Sequence, residues 1–181
     1  MKIAIGLDGT IADIKRRVEL YEKQLHTTIE DPFKTPKIVS DESFWAGMKE
    51  YKDFDLFRFD KRYMSHDIYV FTRRPQSLAN VTHAWLDRKG WGIPLDWLVC
   101  QAIPRYDSRL LHIDLYIDTD LAVLKTFEYD TTQPVYLDRS MCRPVQTIER
   151  FEVPIPPYIK RVTWPEEAYE LTRKESPWSN V

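Results

Sequence analysis

The sequence predicts an α/β fold: a parallel sheet with helices on both faces and a small helical insertion after the first strand. Three observations carry that expectation. Short unbroken apolar runs recur along the chain, among them Ile3-Ala4-Ile5, Ile68-Tyr69-Val70-Phe71 and Leu115-Tyr116-Ile117. Runs of that length without polar alternation suit strands buried on both faces, and helical patterns alternate with them. The polar clusters that look chemical, at Asp8, Thr72 and Asp118, each close one of these runs. In open α/β sheets that is where ligands bind.

Taken in order, Lys2 to Leu7 reads as the first strand, ended by the tight turn Asp8-Gly9-Thr10. Ile11 to about His26 reads as a helix with Ile11, Ile14, Val18 and Leu25 near one face. From Asp31 to Tyr63 the pattern changes: Pro32 and Pro36 break the chain, and Phe44, Trp45, Phe54, Phe57 and Phe59 stand among many charges. Short helices are expected there. Asp67 to Thr72 is the second strand, and Gln76 to Lys89 an amphipathic helix ended by Gly90-Trp91-Gly92. Trp97 to Cys100, Leu115 to Ile117 (capped by Asp118-Thr119-Asp120) and Val135 to Leu137 complete five expected strands. Pro154-Ile155-Pro156-Pro157 is a stiff connector to a last helix, Pro165 to Lys174.

Composition narrows the function classes. The 181 residues suit one domain with a modest insertion, and 43% apolar residues with 24 aromatic rings can fill a sizeable core. A net charge of −2 argues against a general electrostatic grip on duplex nucleic acid or an anionic membrane, and leaves room for a small phosphorylated ligand. Two cysteines, Cys100 and Cys142, make neither a disulfide framework nor a cysteine zinc site and read as partly buried thiols. His26, His66, His83 and His112 lack metal spacing. No apolar run nears the roughly 20 residues that span a bilayer, and Met1-Lys2 leads straight into a strand pattern, so a soluble, cytoplasmic protein is expected.

Leu7-Asp8-Gly9-Thr10, then Tyr69-Val70-Phe71-Thr72, then Ile117-Asp118-Thr119-Asp120 resemble, in order and spacing, the motifs of the haloacid-dehalogenase (HAD) superfamily of phosphotransferases. Thr72-Arg73-Arg74-Pro75, Asp138-Arg139-Ser140 and the closing Arg161 to Glu167 look most like its 5′(3′)-deoxyribonucleotidase family. The resemblance implies a Rossmann-like core from residues 1–14 and 66–181, and a helical cap from 15–65 that selects substrate.

Further implications concern the site. The family's first aspartate attacks phosphorus, and the position that matches it here is Gly6, which has no side chain to attack with. Asp8 matches the acid/base position; alone it also reads as a turn-forming residue before Gly9. Thr72 would donate to a phosphate oxygen, or cap the helix after it. Gly9 and Thr10 would line the phosphate loop, with Arg73 and Arg74 beside it; Arg74 fits the family's strand-end pattern. The phosphate-neutralising lysine is missing between Val99 and Leu115, which leaves Arg105, then Arg109, as stand-ins or as solvated surface arginines. Magnesium would be held by Asp8 with Asp118 or Asp120. Phe44 and Trp45 could stack on a nucleobase or form the cap's own core.

Three readings follow. One is a relative that binds a nucleoside monophosphate or other phosphomonoester with phosphatase activity lost or strongly reduced. Another is a working magnesium-dependent phosphatase in which Asp8 activates water. The third is an interaction protein on the same scaffold, using Phe44 and Trp45.

Overall fold

A computed structural model describes residues 1–51, 54, 57–58, 66–138 and 154–174 of the chain. Phe59, Arg139, Ser140 and Cys142, singled out above, lie outside the described residues. Among these residues six strands form one sheet: β1 (Lys2–Gly6), β2 (Asp67–Phe71), β3 (Leu98–Val99), β4 (Leu115–Asp118), β5 (Gln133–Leu137) and β6 (Lys160–Val162). Their order is β3-β2-β1-β4-β5-β6, and each neighbouring pair is parallel. The helices are α1 (Ile14–Leu25), α2 (Pro36–Val39), α3 (Glu42–Ala46), α4 (Ala79–Arg88), α5 (Pro104–Leu111), α6 (Leu121–Leu124) and α7 (Pro165–Lys174).

Strand periodicity sorts the core. Ile3, Ile5, Ile68, Val70, Ile117 and Val135 point to one face, where they join Trp85, Leu86 and Ala168. Ala4, Tyr69, Phe71 and Tyr116 point to the other, against Leu124 and Phe127. Ile38, Phe44, Trp45 and Met48 belong to the first of these clusters. The described residues between α1 and β2 therefore pack onto the sheet's own core, α3 against α4, and Phe44 and Trp45 join that core, where the sequence had allowed a small core of their own.

One boundary and two whole elements differ from expectation for local reasons. Helix α1 starts at Ile14, not Ile11, because the amides of Ile11 and Ala12 both return to Leu7 O (2.9 and 2.8 Å) and Asp13 caps the helix. Strand β6 was not foreseen: Lys160 and Arg161 are exposed and only Val162 is buried, the composition of a charged sheet edge. Helix α5 was not foreseen either, its Tyr106 and Leu110 being solvent-exposed.

The topology fixes where a site can form. From β1 the chain moves outward to β2 and β3, then crosses to β4 and continues to β5 and β6. The switch point is the cleft beyond the carboxyl ends of β1 and β4. Gly6 ends β1 and Asp118 ends β4.

Candidate active site

Beyond those strand ends lies a cavity of about 330 Å³. Its apolar wall comes from Phe33, Phe71, Ile103, Pro104, Tyr116 and Val123, and its polar floor from Asp8, Thr72, Arg73, Asp118 and Asp120, with Gly6 between them. Gly9, at φ +94° in the loop after β1, takes a conformation that side-chain-bearing residues rarely adopt. This closes the turn in which Gly9 N–H donates to Ala12 O at 2.8 Å.

The place of a side chain at residue 6 is already filled. A Cβ built on Gly6 would stand 2.7 Å from Asp118 Cγ, and nearer still to Asp118 Oδ2. Asp118 is held there by four donors. Its Oδ1 accepts from Thr10 Oγ1 (3.0 Å), Thr119 N (2.7 Å) and Asp120 N (3.0 Å), and its Oδ2 from the Tyr116 hydroxyl (2.5 Å). Burial raises the Asp118 pKa against the opposing pull of these bonds. Burial and the neighbouring carboxylate push Tyr116 well above the usual tyrosine value, so its hydroxyl stays a donor.

Asp8 is equally engaged. Arg74 sends Nη2 (2.6 Å) and Nε (3.1 Å) to Asp8 Oδ1, while Thr72 Oγ1 donates to Oδ2 at 2.6 Å. The Arg74 side chain is fully buried and that of Asp8 is 5% exposed. Arg74 also reaches Thr82 Oγ1 (3.1 Å) and Met48 Sδ (3.6 Å), and its guanidinium lies 4.9 Å from the centre of the Trp45 ring.

The sequence-predicted residues thus divide. Gly6, Asp8, Thr72, Arg73, Asp118 and Asp120 meet at the cavity, and Thr10 joins them through Asp118. Arg74 is turned from ligand to Asp8. Thr72 spends its proton on Asp8 and accepts from Arg74 N (3.1 Å), so it is no cap for the following helix. Phe44 and Trp45 are fully buried and give no stacking surface. Trp45 donates to Ile38 O at 2.9 Å and meets the site only through the back of Arg74. Arg105 and Arg109 are off the cavity wall, both held by Asp130 (3.4 and 2.6 Å). Burial of Asp130 opposes its ionisation, but bonds from Arg109 and the Thr132 backbone prevail and hold its pKa low.

Sequence reasoning missed Phe33 and Tyr116. Phe33 carries the half-exposed Arg73, whose guanidinium lies 4.6 Å from the ring centre and pairs with Asp31 at 3.1 Å. Tyr116 had a legible signal: two residues before Asp118 on a strand, it shares that residue's face.

The magnesium site implied by the motifs does not fit these side chains. Gly6 offers no side-chain oxygen, Asp8 and Asp118 face hydrogen-bond donors at every carboxylate oxygen, and Asp120 Oδ1 caps α6 through Ala122 N and Val123 N (2.9 and 3.2 Å). Among the described residues no group of three or more His, Cys, Asp or Glu is placed to hold a metal ion. Nor is any helix there long and apolar enough to cross a membrane.

Comparison with solved structures gives the fold its class. The chain resembles a HAD-superfamily hydrolase of subfamily IA from Geobacter sulfurreducens (TM-score 0.56, 11% identity, 94% of this chain and 95% of that one). It also resembles a haloacid-dehalogenase-like hydrolase from Streptococcus pneumoniae (TM-score 0.57, 10% identity, 94% and 97%). A class C acid phosphatase from Bacillus anthracis aligns over 67% of this chain with TM-score 0.52 and 18% identity, and there the chain spans about half (52%) of its length. No protein-family model and no curated protein matches the sequence. At these identities the likeness concerns architecture: the fold is the HAD-like, Rossmann-like α/β fold.

Proposed function

We propose that this chain is a HAD-like protein that binds a phosphomonoester, with nucleoside monophosphates as the ligand class, and does not transfer phosphoryl groups through an aspartyl-phosphate. One observation carries the loss of chemistry: residue 6 has no side chain, and the hydrogen-bonded Asp118 carboxyl group fills the space one would need. Covalent phosphoryl transfer has no nucleophile there. Direct attack by water is not favoured either, since a general base must present a lone pair to the water and both Asp8 oxygens face other donors.

Binding is supported by the cavity. The partly exposed Phe33 offers an aromatic ring to a base, and Arg73 stands half-exposed at the wall with a guanidinium fork that suits phosphate. The nucleotide class rests on the likeness of Thr72 to Pro75 and Arg161 to Glu167 to the deoxyribonucleotidase family. The test pairs calorimetric titration with nucleoside monophosphates and a phosphatase assay on the native chain. Saturable binding without turnover is expected. Turnover that disappears in Asp8→Asn would overturn the loss of chemistry, and absence of binding heat with every nucleotide would overturn the ligand class.

A further inference from the structure

We propose that Arg74 stands in for a metal as the fixed counter-ion of Asp8, so that the cavity takes its ligand without a divalent metal; the ligand side of this inference rests on the phosphomonoester reading above. The starting point is a charge balance. A carboxylate removed from water must be neutralised or hydrogen-bonded at each oxygen. Asp8 meets that condition entirely within the protein. Two guanidinium nitrogens cover Oδ1 and the Thr72 hydroxyl covers Oδ2.

Arg74 is itself held from several directions. Thr82 on α4, Met48 after α3 and the Trp45 ring on α3 all contact its guanidinium, and its backbone amide is fixed to Thr72. A cation so placed is part of the fold and costs no ordering when a ligand arrives. Its planar fork, spent on Asp8 and Thr82, neutralises the Asp8 carboxylate that lines the cavity, so that an arriving anion meets no unbalanced negative charge there.

Asp118 completes the argument from the other side of the cleft. Three donors meet its Oδ1 and the Tyr116 hydroxyl meets its Oδ2. A magnesium ion demands near-octahedral oxygen ligands at roughly 2.0–2.1 Å. To enter, it would have to displace Tyr116 from Asp118 or Arg74 from Asp8, and it would then approach a buried guanidinium at low dielectric, where like charges repel strongly.

The first experiment uses the ligand-free chain. Manganese is titrated into ¹⁵N-labelled protein while paramagnetic broadening of the backbone amides is followed. No saturable broadening confined to the amides of Gly6, Asp8, Gly9 and Asp118 to Asp120 is expected up to millimolar metal; saturable broadening there overturns the proposal. The second compares nucleoside monophosphate affinity in EDTA and in magnesium. Values within about twofold are expected, and a tenfold or greater requirement for magnesium overturns it. A third uses Arg74→Met, confirmed folded by its amide spectrum. Its affinity should fall at least tenfold, and an unchanged affinity sinks the role assigned to Arg74. If that variant does not fold, Arg74→Lys, which keeps the charge and loses the fork, should weaken binding several-fold, and unchanged affinity again overturns the role. Should no nucleotide bind at all, the phosphomonoester reading fails while the manganese titration still decides whether the site rejects metal.

Discussion

Asp118 occupies the space of residue 6: a methyl group on Gly6 would lie 2.7 Å from Asp118 Cγ. An Asp118 side chain free in solvent would swing away cheaply. This one is buried and anchored by Thr10, Tyr116 and two backbone amides. Gly6→Ala should therefore destabilise the chain by about 1–3 kcal/mol, the usual cost of overpacking. Urea unfolding should also show that the penalty shrinks in an Asp118→Ala background, because the two sites share one volume. Equal penalties in both backgrounds would contradict this account.

Arg74 and Asp8 make a buried ion pair, and removing one partner strands the other. Asp8→Leu or Arg74→Met alone should cost about 3–5 kcal/mol, whereas the double replacement should cost far less than the sum. Chemical denaturation of the four proteins gives the coupling directly. Additive effects would mean that the contact contributes little to stability.

Tyr116→Phe removes one hydroxyl and leaves Asp118 Oδ2 without its donor. A buried acceptor left unsatisfied costs about 1–3 kcal/mol. The ring itself, stacked on Phe127 at 5.1 Å, should stay in place. Thermal unfolding together with the near-ultraviolet spectrum would distinguish a lost hydrogen bond from a lost ring contact.

Asp130 gives a pH prediction with a definite sign. Its carboxyl group is held below its ordinary pKa in the folded chain, so the unfolded chain binds the proton more readily. The resulting stability is present above the unfolded value of about 3.9 and is lost as pH falls through the lower folded value. The advantage of the native chain over Asp130→Asn should accordingly be constant near neutrality and shrink in acid. An advantage that instead grows on acidification would refute the assignment.

Much of this was legible in the sequence because strands buried on both faces announce themselves as unbroken apolar runs. The β1, β2, β4 and β5 runs, and the polar residues at the first three of those strand ends, could be read off directly. Edge strand β6 could not, since Lys160 and Arg161 face water and carry no apolar signal. In the site, sequence separated Asp8, Thr72 and Asp118 from the background but could not say what each would bond to. Arg74 looked like a ligand-reading residue beside Arg73. Side-chain direction alone sends the one into the core and leaves the other half in solvent. Phe44 and Trp45 illustrate the same limit: among many charges they suited either a stacking surface or a core, and a helical turn capped by Asp41 rolls both inward.

The hold on Asp118 makes positions 6 and 118 a single unit. An acid placed at position 6 alone would meet an occupied volume and a second buried carboxyl group. For it to fit, 118 would have to let go first, and Tyr116 and Thr10 would then lose their acceptor. Either residue changed by itself costs stability, so the pair works as a latch that opens only when both sides move together.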